Sequence, residues 1–88
     1  MRLENNQQLY DYLASIGTKL SARGAVELSR IVMMASHYAG TVPATEFLGE
    51  SRIALRRVEK EQNVLTQDEH LEVADVVRQL DEAFGRQR

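Results

Sequence analysis

Metal binding or general acid–base work in this chain would have to come from two histidines and thirteen carboxylates, because its 88 residues include no cysteine. Without a thiol, disulfide staples, thiolate metal sites and cysteine nucleophiles are all excluded. His37 has no carboxylate or second histidine three or four residues away, the spacing that chelation from one helix face requires. His70 lies close in sequence to Asp68, Glu69 and Glu72, but those side chains fan around a helix. The Glu-x-x-His pattern of di-metal bundles is missing too, since position 67 is Gln. Glu46 with Glu50 and Asp68 with Glu72 form carboxylate pairs at helical spacing, which solvated faces also produce. A working acid–base pair needs a cleft that drives two pKa values apart, and short packed helices offer little cleft. The five glycines are scattered, and Gly17 with Gly24 match neither the dinucleotide fingerprint nor the phosphate-binding loop. The expectation is a non-enzyme with no cofactor and no metal.

The elements carrying these residues are helices. Leu9, Leu13, Ile16 and Leu20 recur at intervals of four, three and four, which aligns them on one stripe at roughly 100° per residue. Asn5 or Asn6 can cap that segment, and Gly17 is expected to weaken its last turn. A second stripe (Leu28, Ile31, Val32, Ala35 and Ala39) opens after Ser21 as candidate cap and stops at Gly40, with Pro43 beyond. Pro43 opens the third helix, whose inner face is Ala44, Phe47, Leu48, Ala54, Leu55 and Val58. Thr66-Gln67-Asp68-Glu69 reads as a capping box, in which threonine and glutamate each serve the other's amide. Val73, Val77, Leu80 and Phe84 follow, and Gly85 is expected to close that helix. No segment alternates at period two, and the connections are short, so consecutive helices should lie antiparallel. The prediction is one all-α domain over 1–88, a small up-down antiparallel bundle of four helices at about 6–20, 22–39, 43–62 and 67–84.

The composition agrees with a folded domain. Apolar residues make up 43% and charged residues 27%, and the net charge of −2 is too balanced for a nucleic-acid tail or a membrane-surface helix. Residues 1–12 contain no apolar run of signal-peptide length, and no stretch approaches a membrane span. With cysteine absent as well, a cytoplasmic protein with no membrane partner is expected.

Function must then come from surfaces. Val26 and Met33, seven apart on the second helix, point away from Leu28 and Val32, and Ile53 points away from Leu48 and Leu55. Val26, Met33 and Ile53 are therefore candidate contacts for another protein or a second copy, since small bundles often complete a core by association. Asp68, Asp75 and Glu82 repeat every seven residues with Glu72 beside them, an acidic stripe suited to a basic protein partner. Arg52, Arg56, Arg57 and Lys60 form a basic ridge on the third helix. That ridge pairs with the acidic stripe across the hairpin, or it serves the alternative reading, contact with nucleic acid. Glu46, Glu50, Glu59 and Glu61 interrupt the ridge, and the helix-two/helix-three turn lacks helix-turn-helix chemistry. The leading expectation is a non-catalytic protein–protein interaction module of inhibitor, immunity or accessory-subunit type, able to self-associate.

Overall fold

Four apolar stripes on four helices can leave water together only by turning inward on one another, and the chain does this. The computed structural model describes residues 2–61 and 63–86, the last by its backbone alone. Its elements are α1 (Asn6–Ala22), α2 (Val26–Ser36), α3 (Ala44–Glu59) and α4 (Gln67–Arg86), with no strand among the described residues. The radius of gyration is 12.1 Å, against about 12 Å for a folded chain of this length. The core gathers Leu9, Leu13, Ile16 and Leu20 of α1 with Leu28 and Val32 of α2, Phe47, Leu55 and Val58 of α3, and Val73, Val76 and Leu80 of α4. No helix among the described residues is long and apolar enough to cross a membrane.

The helix ends differ from the expected ones for local reasons. Asn5 caps α1 by accepting the amide of Gln8 at 2.8 Å. Gly17, expected to weaken the end of α1, sits inside it and serves packing instead. A Cβ there would stand 2.6 Å from the Met33 sulfur, and the buried Ser29 hydroxyl donates to the Gly17 carbonyl at 2.7 Å. The missing side chain lets α2 approach closely. The actual stop is Gly24, at φ +83°. The amide of Ala25 bonds the Leu20 carbonyl at 2.9 Å and that of Gly24 bonds the Ser21 carbonyl at 3.0 Å, the paired bonds of a Schellman ending. Ser21 therefore belongs to α1 and caps nothing on α2, which begins at Val26 after Ala25 without a side-chain cap.

At the other end of α2, Tyr38 and Ala39 bond back only three residues, so the last turn tightens before Gly40 takes φ +78°. Pro43, expected as the first residue of α3, lies just before it with extended ψ, so the helix begins one residue later than expected, at Ala44. The expected α3 end at 62 lies outside the described residues, and the helix stops at Glu59. Gly85 does not close α4, which continues to Arg86. Replacing Gly24 by alanine is expected to lower stability by about 1 kcal/mol, because a side chain at positive φ is strained even in open space. A urea titration followed by circular dichroism checks this, and an unchanged midpoint would contradict the assignment of Gly24 as the stop.

Candidate functional site

On α3 the buried positions Phe47, Ser51, Ala54, Leu55 and Val58 settle the helix's rotation. They leave Glu46, Glu50, Ile53, Arg57 and Lys60 facing solvent, all exposed, at intervals of four, three, four and three. The outward stripe is therefore acidic at its start, apolar at its middle and basic at its end. Ile53 is 65% exposed. Beside it, α2 presents the half-buried Ile31 and the 56%-exposed Met34, and the turn after α2 presents the half-buried Tyr38.

Two shallow hollows flank this strip. One, of about 210 Å³, is lined by Ile31, Met34, Tyr38, Glu50 and Ile53 among others. The other, of about 410 Å³, is lined by Ile31, Ile53, Arg56, Arg57 and Lys60. Ile31 and Ile53 belong to both, with carboxylate at one end and cations at the other. Chemically this is an apolar floor with a charged rim.

The other residues singled out from sequence are placed as follows. Val26 is 67% exposed on the first turn of α2 and lines neither hollow. Met33 is half-buried with its thioether against Gly17 of α1. The structure thus groups Ile53 with Ile31 and Met34 and not with Val26 and Met33. Met34 escaped the sequence reading because the flank of α2 carrying Met33 is covered by α1 at the Gly17 approach. The small residues Gly17 and Ser29 were the available signal.

The basic ridge is divided. Arg52 Nε lies 2.5 Å and Arg56 Nη2 3.0 Å from Asp81 on α4, and the Arg52 guanidinium stands 5.2 Å from the centre of the Phe84 ring. Partial burial alone would lift the Asp81 carboxyl, but the hydrogen-bonded Arg56 guanidinium and the Arg52 guanidinium paired beside it outweigh this and hold it below the usual carboxylate range. Arg57 and Lys60 remain on the outward face. The α3–α4 ion pairs between described residues run from Arg52 and Arg56 to Asp81, a residue outside the acidic stripe expected to receive them.

Within that stripe Arg78 bridges Asp75 and Glu82 on the same helix. Its hydrogen bond to Asp75 holds that carboxyl below its ordinary value. Asp68 and Glu72 are exposed. The Tyr12 hydroxyl is buried without a hydrogen-bond partner among the described residues. Burial pushes its pKa up, and the charges of Glu72 and Glu69 add to this. His37 is exposed and His70 half-buried, and no three histidine, aspartate or glutamate side chains among the described residues are arranged to hold a metal ion.

The most highly organised polar cluster was only half legible. The expected capping box is present: the Thr66 amide donates to Glu69 at 2.9 Å and the Glu69 amide to the Thr66 hydroxyl at 3.2 Å. Arg23, from the turn after α1, adds a bidentate pair to the same carboxylate and a 3.0 Å bond to the Val64 carbonyl. This cluster ties the turn after α1 to the start of α4. Comparison with protein families, with characterised proteins and with solved structures finds no match for the chain, so its function has to be argued from these surfaces.

Proposed function

We propose that the protein is a non-catalytic interaction module that docks a helix of a protein partner on the α2–α3 face. The observation that carries the proposal is Ile53, an aliphatic side chain mostly in water yet shared by two hollows whose ends carry opposite charge. An apolar anchor ringed by charged groups is where binding energy concentrates, with the charges setting orientation. The occupant that fits is a helix with an apolar residue at its centre, cations facing Glu50 and carboxylates facing Arg57 and Lys60. The cytoplasmic setting and the inhibitor or accessory-subunit roles expected from the sequence go with this proposal. Nucleic acid is the weaker reading, because Asp81 already engages two of the four ridge cations.

A photo-crosslinking amino acid placed at position 53, in cells that make the protein, tests the reading. A protein adduct is expected there and not from the same probe at Ser15, an exposed position on α1. No adduct at 53, or equal adducts at both positions, would overturn it.

A further inference from the structure

Resting on the docking reading above, the geometry points to a second copy of this chain as the occupant, its α3 antiparallel to the first across a two-fold axis beside Ile53. A closed two-fold contact needs a patch complementary to itself. The outward stripe of α3 has that property. Glu46 and Lys60 lie seven residues on either side of Ile53, while Glu50 lies three before it and Arg57 four after. At 1.5 Å per residue, Glu46 and Lys60 are both about 10.5 Å along the axis from Ile53. Glu50 and Arg57 differ in distance by about one residue's rise, within the reach of an arginine. Turning one copy over about Ile53 therefore sets Glu50 against Arg57 and Glu46 against Lys60, twice each. The same operation brings the Ile31 and Met34 side chains of both copies around the paired isoleucines.

Two further observations favour this occupant. Glu46 with Glu50, and Arg57 with Lys60, are like charges one helical turn apart, an arrangement unfavourable within one helix and relieved by opposite charges across an interface. Acid at the start and base at the end of α3 also suit the helix dipole, but the dipole does not ask for an exposed isoleucine at the midpoint. A chain this small also leaves much of its surface open, and pairing would remove Ile53 and Met34 from water. The face is only two helices wide, at the small end of specific interfaces, so the dimer is concentration-dependent.

Sedimentation velocity over rising concentration tests the pairing, with circular dichroism verifying that every variant is folded. Wild type is expected to shift from 10.0 kDa towards twice that mass. Glu50→Arg alone and Arg57→Glu alone each set like charges together twice, and each should weaken the dimer at least about tenfold. The double exchange, Glu50→Arg with Arg57→Glu, should restore it. So should an equimolar mixture of the two single variants, as a mixed dimer. A wild type that stays monomeric to about millimolar concentration, below which even weak specific contacts populate, overturns the pairing. A dimer indifferent to the exchanges overturns it equally. If wild type is monomeric while the position-53 probe joins a different protein, self-pairing fails and the docking reading stands.

Discussion

Replacing Phe47 by alanine is expected to remove about 3–5 kcal/mol of stability, the range for emptying a fully buried aromatic site. Phe47 is 1% exposed and is the largest of the fully buried side chains. It sits on the first turn of α3, immediately after the Gly40–Pro43 connection, and its amide makes one of the opening bonds of the helix to the Pro43 carbonyl. Its ring belongs to the core shared by all four helices, so a cavity left there is not relieved by rearranging a single neighbour. An 88-residue domain commands roughly 0.05–0.15 kcal/mol per residue in total, so the loss is a large share of what holds the bundle together. Chemical denaturation of Phe47→Ala beside Ser51→Ala makes the comparison. Ser51 is equally buried one turn on, but its hydroxyl only bonds back to the Phe47 carbonyl at 2.7 Å, and that carbonyl keeps its place in the helix without it. Ser51→Ala should change stability by less than about 1 kcal/mol. A loss below that figure for Phe47→Ala would mean the ring is not the core element its burial implies.

The inward faces were readable because burial enforces a period. Leu9, Leu13, Ile16 and Leu20 recur at helical spacing and all four are buried, and Val73, Val77 and Leu80 repeat the pattern on α4. Expectations failed where one residue can do two jobs. A glycine ends a helix or lets another helix approach, and nothing local to Gly17 and Gly24 says which does which. That is decided by Met33 and Ser29 on the neighbouring helix. Met33 and Met34 pose the same problem: adjacent residues on α2 point about 100° apart, and only the position of α1 determines which of them is covered.

Side-chain pairing between helices was the least legible level. Arg52 and Arg56 each stand 25 or more residues from Asp81, and their meeting with it depends on how α3 and α4 are rotated against each other. The α3 stripe of Glu46, Glu50, Ile53, Arg57 and Lys60 lay open in the sequence. Sequence divides it between a basic ridge and carboxylates interrupting that ridge, because grouping charges by sign ignores their angle from the inner face, and that face was drawn with Ala44, which is exposed, and without Ser51, which is buried. Once Phe47, Ala54, Leu55 and Val58 define the inside, the same charges order themselves as two poles about one isoleucine.

Glu69 should account for a distinct part of the acid sensitivity. Its side chain is 13% exposed. The hydrogen-bonded Arg23 guanidinium, followed by the Thr66 amide and Lys19, holds its carboxyl at about 2 against an ordinary 4.5, with partial burial opposing them. A carboxyl whose pKa is depressed by folding stabilises the fold fully above its unfolded value. That contribution is lost as protons bind, here as pH falls from about 4.5 towards 2. Glu69→Ala removes the reciprocal cap of α4 and the tie to the α1 end at once, and at neutral pH should cost about 2 kcal/mol. Glu69→Gln keeps an oxygen for the Thr66 amide and loses the charge, so it should fall between wild type and alanine. The sharper reading is the shape of the curve. Asp75 and Asp81 are also held low and contribute acid sensitivity in both proteins, so their effect cancels in the difference. The gap between wild type and Glu69→Gln should therefore be widest above pH 4.5 and should close towards pH 2. Urea midpoints measured across that window decide the matter: a gap that stays constant would show that the glutamate acts only as a neutral cap and that its pairing with Arg23 contributes nothing to folding.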